Sequence, residues 1–181
     1  MIPTLRTDRL VLRAHRLADF DAYCALWGDP AVTRYIGGKP FDRETCWSRF
    51  LRQTGMWIHM GFGYFVVEEG GRFVGEAGFQ EARRSIDPHL EGTLEAGWAL
   101  MPDAHGRGLA IEAMTACIRW AEANLGSMEM TCIIDPANTA SIRTACRLGF
   151  VEAGTARYRE QPTGLYRRQA RPGLSGHGSG T

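Results

Sequence analysis

Hydrophobic and polar residues alternate with a period of two through residues 93–100. Leu94, Ala96, Trp98 and Leu100 fall on one side, and Thr93, Glu95, Gly97 and Ala99 on the other. That spacing predicts a half-buried strand. The period then lengthens: Ala110, Ala113, Met114, Cys117 and Ala121 form a stripe at helical spacing, with Leu125 one turn on. A helix is therefore expected to run to about residue 124. The same reading predicts strands at 9–14, 64–69, 73–80, 128–134, 150–159 and 165–169, and helices at 19–28, 42–53 and 138–148.

Turn and cap residues punctuate these runs. Gly70-Gly71 closes a hairpin, and Asp29-Pro30 stops a helix. Asp42 and Asn138 are N-cap residues, and Gly149 is a left-handed helix stop. Gln161-Pro162-Thr163-Gly164 is expected to turn the last two strands. Gly75 and Gly78 inside a strand mark a bulge or a close backbone approach. Residues 35–40 and 82–91 read as loops, and residues 57–64 as an aromatic, glycine-rich lead into a strand. The expectation is an α/β chain with seven strands and about four helices.

Composition narrows the function classes. The 181 residues fit one domain, expected over residues 1–170, with a disordered tail at 171–181 rich in Gly and Ser. A formal net charge of +1 offers no broad field for nucleic acid or a membrane surface. The five cysteines are odd in number and scattered, which suits reduced thiols in the cytoplasm rather than a disulfide framework. The five histidines lack metal-ligand spacing, so no metal site is expected. No run approaches the ~20 apolar residues of a membrane span.

The candidate chemistry sits between the period-two strand and the helix. His105-Gly106-Arg107-Gly108-Leu109-Ala110 places two glycines at a helix start. Such a start presents unpaired N–H groups and a partial positive charge, and glycine lets a ligand approach the backbone. The stretch is a candidate phosphate cradle, or else only a tight turn joining strand to helix. A nucleotide-triphosphate loop is excluded, since no G-x-x-x-x-G-K-[ST] occurs, and Ile111 stands where a dinucleotide fingerprint needs its third glycine.

His105, Gly108 and Ala110 resemble the acetyl-CoA loop of the GNAT N-acetyltransferases, [QR]-x-x-G-x-[GA], with His105 in place of Gln or Arg. Downstream, Asn138, Ser141, Arg147, Gly149 and Phe150 resemble that family's second signature, N-x-x-[SA]-x-x-x-x-x-[KR]-x-G-F, with its spacing intact. Residues 7–13 resemble the T-x-R-L-x-L-R opening of the subgroup that includes the ribosomal-protein N-terminal acetyltransferases.

The resemblance implies a GNAT fold: a mixed, mostly antiparallel seven-stranded sheet, splayed between its fourth and fifth strands at residues 93–100 and 128–134. It implies acetyl-CoA-dependent acetylation of a primary amine on a peptide N-terminus, amino acid or small molecule. A non-catalytic acyl-CoA sensor is the rival reading, and a homodimer is one admissible assembly. Cofactor contacts would come from His105, Gly106, Arg107, Gly108, Leu109, Ala110, Asn138, Ser141 and Arg143. Catalytic roles would fall to Glu95 as base and to Ser141. An ion pair of Glu95 with an arginine from a neighbouring strand is the alternative role. Tyr35, Trp57 and Tyr64 would border the acceptor. The tyrosine acid of many family members is replaced by Ala145, with Cys146, Tyr158 or water as stand-ins.

Overall fold

A computed structural model describes residues 1–126 and 128–169. The tail expected at 171–181 lies outside the described residues. Among those residues the chain forms nine strands: β1 (Leu5–Arg6), β2 (Leu10–Arg13), β3 (Tyr64–Glu69), β4 (Arg72–Gln80), β5 (Ile86–Asp87), β6 (Leu94–Leu100), β7 (Met130–Ile134), β8 (Val151–Tyr158) and β9 (Gln161–Arg168). Five helices join them: α1 (Phe20–Gly28), α2 (Pro30–Thr33), α3 (Arg43–Met60), α4 (Leu109–Asn124) and α5 (Thr139–Arg147). The sheet order is β1-β2-β3-β4-β6-β7-β9-β8-β5. Every neighbouring pair is antiparallel except β6 with β7.

The period-two reading of β6 holds. Leu94, Ala96 and Leu100 bury themselves in the core beneath α4, with Leu109, Ala113, Met114, Cys117 and Ala121. Ala99 packs on the other face, with Tyr23, Trp27 and Phe50 of α1 and α3. Gly75 and Gly78 do mark close approach. A Cβ on Gly75 would strike the Ala99 carbonyl, and one on Gly78 the Gly63 carbonyl.

Several boundaries depart from the sequence reading, each for a local reason. The count rises from seven strands to nine because β1 and β5 are two-residue strands, too short to carry a period. The count of helices rises to five because Asp29-Pro30 both stops α1 and starts α2. Asp29 Oδ1 accepts from the Ala31 N–H, and Pro30 occupies the first turn, where its missing N–H costs nothing. Asp42 caps α3 as expected, accepting from the Thr45 N–H at 2.7 Å. That helix nevertheless runs through Gly55 to Met60 and stops at left-handed Gly61, so Trp57 is helical. Finally, β8 and β9 turn at Arg159 and Glu160, both at positive φ, rather than at 161–164. Gly164 instead lies within β9. A Cβ there would come within 2.9 Å of the Tyr166 ring and 3.2 Å of the Ile134 carbonyl, so its glycine serves close packing against β7.

Candidate active site

The functional geometry begins where β6 and β7 part. Their parallel pairing covers only Leu94 with Met130 and Glu95 with Thr131. From Ala96 onward the β6 edge facing β7 carries no ladder partner, while β7 continues along β9. The expected splay is therefore present. An unpaired strand edge inside a sheet offers a row of N–H and C=O groups to an extended ligand.

The chain leaving β6 passes a 3₁₀ turn, Pro102–Ala104, and reaches α4 through Gly106 and Gly108. Gly106 and Gly108 have φ of +70° and +78°, a conformation that glycine adopts at no steric cost. Gly108 is the N-cap of α4, with no side-chain cap. The first helical bond runs from the Glu112 N–H to the Gly108 carbonyl. The N–H groups of Leu109, Ala110 and Ile111 precede it, as at any helix start.

The side chains of this loop turn away from that cradle. His105 Nε2–H donates to the Leu100 carbonyl at 2.8 Å. Arg107 is bound by both terminal nitrogens to Glu69, at 2.6 and 2.8 Å. From outside, Glu112 ties the first turn of α4 to the N-terminal segment. Its Oε1 accepts from the Thr7 hydroxyl and the Arg9 N–H, and its Oε2 from Arg9 Nε. Arg9 Nη1 then donates to the Arg107 carbonyl at 2.9 Å. Thr7 and Arg9, read from sequence only as part of an opening motif, thus brace the glycine loop.

Across the wedge, Asn138 caps α5, its Oδ1 accepting from the Ser141 N–H at 3.1 Å. Ser141 and Asn138 are half-buried, and Arg143 is exposed. Ala145 is fully buried in the core, leaving no acid at that position, whereas Cys146 on the same helix is exposed.

The α1–α3 face of the sheet holds the remaining chemistry. Tyr64 pairs across the sheet with Gly78, which pairs with Gly97. Its phenol spans both glycines and rests on Gly97. Burial pushes the Tyr64 hydroxyl pKa above its ordinary value, and the charges of Glu95 and Glu76 add to the effect. Glu95 is buried at the last paired position of the wedge. Its Oε1 accepts from Gln80 Nε2 at 2.9 Å and from Arg84 Nη2 at 2.8 Å, and its Oε2 from Arg84 Nε at 3.0 Å. Arg84 Nη1 donates to the Tyr158 hydroxyl at 3.0 Å. Burial alone would lower the Arg84 pKa, but Glu95 outweighs it and holds the guanidinium above its ordinary value.

Sequence reasoning gave Arg84 no role. It lies in a stretch that reads as a polar loop, and only the fold brings that loop onto Glu95. A cleft opens there, lined by Gln80, Arg84, Ile86, Leu90 and Glu95. The ion pair that was Glu95's alternative role is thus present, with an arginine from a loop rather than from a strand.

The expected acceptor residues separate. Tyr64 lies at the wedge. Trp57 does not: it packs in the core on the α4 side, 4.9 Å from the Phe65 ring and 5.2 Å from that of Trp120, while its Nε1–H donates to the Tyr64 carbonyl at 2.9 Å. Tyr35 follows α2, its ring under the Arg34 guanidinium. No helix among the described residues is long and apolar enough to cross a membrane.

Comparison with known proteins agrees with this geometry. The model of the acetyltransferase (GNAT) domain matches residues 9–151. An uncharacterized N-acetyltransferase, p20, of Bacillus licheniformis is 29% identical over 164 residues, covering 89% of each chain. A GnaT-family acetyltransferase structure from Bordetella pertussis superposes with a TM-score of 0.81 at 32% identity, covering 92% of this chain and 99% of that one. RimL, the ribosomal L7/L12 alpha-N-protein acetyltransferase, solved in complex with coenzyme A, has a TM-score of 0.74 over 92% of this chain and 98% of its own. At 15% identity, that likeness is one of fold. With a family model running from the Arg9 brace, through the wedge and the glycine loop, to the start of β8, the chain belongs to the GNAT acetyltransferase family.

Proposed function

We propose that the protein transfers the acetyl group of acetyl-CoA directly to a primary amine on a peptide N-terminus, an amino acid or a small molecule. The observation that carries this reading is the wedge between β6 and β7, which leads straight to the uncapped start of α4. The pantetheine arm pairs with the free edge of β6 like an added strand. The pyrophosphate lies on the N–H groups of Arg107 to Ala110, where the helix dipole favours negative charge. Gly106 and His105 shape that cradle through their backbone. Asn138 and Ser141 hold the cysteamine end, and Arg143 approaches the adenosine phosphate from α5.

The amine attacks the thioester carbonyl and must shed a proton to do so. Glu95 receives it through a water at Oε2, which carries fewer protein hydrogen bonds than Oε1. Backbone N–H groups stabilise the developing oxyanion. With Ala145 in the usual acid position, the Ser141 hydroxyl hydrogen-bonds to the leaving thiolate, which takes its proton from water. Tyr64 walls the acceptor side. One catalytic domain over residues 1–170 suffices for these roles.

The buried Ala145 favours a second reading, an acyl-CoA-binding sensor without turnover. One experiment separates them. Acetyl-CoA and CoA, but not ATP, should raise the melting temperature, as ligands that bind only the native state do. Free thiol should then appear faster when a suitable amine is added. Stabilisation with silence across a broad amine panel supports the sensor. No stabilisation by saturating acetyl-CoA removes both readings.

A further inference from the structure

On α3, Arg49, Arg52 and Gln53 stand at positions i, i+3 and i+4, with Gln53 buried on the sheet, Arg49 half-buried and Arg52 exposed at the flank. Gln53 is buried, within 3.5 Å of the Tyr23 hydroxyl and 3.4 Å of Glu76 Oε2. The Arg49 guanidinium lies over the Trp27 ring at 4.4 Å and the Phe41 ring at 4.9 Å, which fixes its plane. Arg49 Nε is buried with no hydrogen-bond partner. Among the described residues neither Arg49, half-buried, nor Arg52, exposed, is in ion-pair contact with a carboxylate, whereas each other buried or half-buried arginine has one.

Arg52 stands at the surface but is crowded by protein. Burial lowers its pKa, and the like charge of Arg49 lowers it further. The half-buried Arg49 guanidinium without a counter-charge costs free energy that an anion, shared with the exposed Arg52 one turn on, would recover. Neither carboxylate on this side reaches the two arginines, although Glu76 Oε1 is buried without a partner. Glu95 is bound by Arg84, and Glu76 faces His15 Nε2 at 3.1 Å. Gln53 reaches Glu76 of β4, Glu76 pairs with Ala99 of β6, and Ala99 stands two residues along from the Gly97 that lies under the Tyr64 phenol, so this part of α3 covers the sheet face on which Tyr64 lies.

We propose that Arg49 and Arg52 form an anion subsite for a carboxylate carried by the acceptor amine. This rests on the acetyl-transfer reading and narrows its acceptor. A planar carboxylate suits two guanidinium forks. It would come from the α-carboxyl of a free amino acid or from an acidic side chain near a peptide N-terminus.

The test compares matched acceptors by thiol release from acetyl-CoA: a free amino acid against its amide, and a peptide amide with Asp second against the same peptide with Asn second. The carboxylate form of at least one pair should show a KM about tenfold lower. Whichever pair responds identifies the source of the anion. Arg52→Gln should collapse that ratio towards one, with the KM for acetyl-CoA unchanged. Arg49→Lys, which keeps charge but loses the fork and the ring stack, should reduce the ratio in part.

If no amine in the panel turns over, the melting temperature of the CoA-loaded protein decides, with N-acetylglycine and N-acetylglycinamide as probes at equal concentration. A shift with the carboxylate alone, lost in Arg52→Gln, supports the subsite. Equal response to charged and neutral members, in either assay, overturns it. Failure of the acetyl-transfer reading registers separately, as the absence of any stabilisation by acetyl-CoA.

Discussion

The phenol of Tyr64 rests on Gly97: a Cβ built there would overlap the Tyr64 hydroxyl oxygen, and it would come within 3.0 Å of Cζ. A residue on β3 thus reaches across β4 to the strand that borders the wedge. The bare backbone at Gly97 leaves room for it.

Gly97→Ala should therefore displace the phenol rather than strain the backbone. Turnover is expected to fall about tenfold or more, with a loss of stability of roughly 1–3 kcal/mol from overpacking. Tyr64→Phe removes the oxygen that collides. The double variant should recover much of the stability lost in Gly97→Ala, a coupling that a double-mutant cycle by urea unfolding measures. Strict additivity would mean that the two residues do not meet in solution.

Gly108 has φ +78° and caps α4 without a side chain. Its Cβ would meet only Arg9 Nη2, at 3.7 Å. Gly108→Val forces a branched residue into a left-handed conformation at the proposed pyrophosphate site. Acetyl-CoA affinity should drop at least about tenfold, ~1.4 kcal/mol, while circular dichroism stays native. Normal affinity in a titration would move the phosphate site away from the loop.

Glu95→Gln separates proton acceptance from ion pairing. As the base, the change should lower turnover by roughly 10²-fold or more, leave acetyl-CoA affinity intact, and shift or abolish the acidic limb of the pH–rate profile. If the Arg84 pair is its whole role, the melting temperature should fall and turnover should stay within a few-fold. Arg84→Lys completes the comparison. A point charge cannot bridge Glu95 and Tyr158 as the fork does, so the cleft should loosen even though charge is kept.

Arg13 is buried against Asp19, whose oxygens each accept from it at 2.7 Å. Burial by itself raises the Asp19 pKa, but the hydrogen bonds from Arg13 and the Arg16 N–H overcome this and hold it below 3.8. A folded pKa below the unfolded one gives stability that is complete above the unfolded value and is lost as pH falls through the folded one. Unfolding by urea should therefore show a loss of stability below about pH 4. Asp19→Asn should cost about 1–3 kcal/mol near neutral pH, since Arg13 loses one of its two carboxylates and keeps Glu68, and should flatten that acid limb. Unchanged acid sensitivity would assign it to Glu112, whose pKa is also lowered. There burial raises it, and the hydrogen bonds from Thr7 and Arg9 prevail.

Trp57 packs among Phe65 and Trp120. Trp57→Ala should cost about 3–5 kcal/mol of stability, while Trp57→Phe should leave the acceptor KM unaltered. A selective rise in acceptor KM in the Phe variant would return Trp57 to the pocket.

The sequence by itself determined what depends on neighbours along the chain. The period-two pattern placed β6, the cap residues Asp42 and Asn138 placed two helix starts, and the glycine pair marked the start of α4. Each of these rests on local spacing and backbone conformation. Only the tertiary structure decided which distant side chains meet. Arg84, in a loop without periodicity, closes on Glu95 and Tyr158 because β4, β6 and β8 bring three separate segments to one cleft. Trp57, aromatic and beside glycines, reads as a pocket wall, yet α3 continues and carries it into the core. Pro162 and Gly164 read as a turn, but the hairpin closes at Arg159-Glu160, since long-range pairing of β9 with β7 fixes its register. Burial and ion pairing at the site arise from such non-local contacts, which spacing along the chain does not encode.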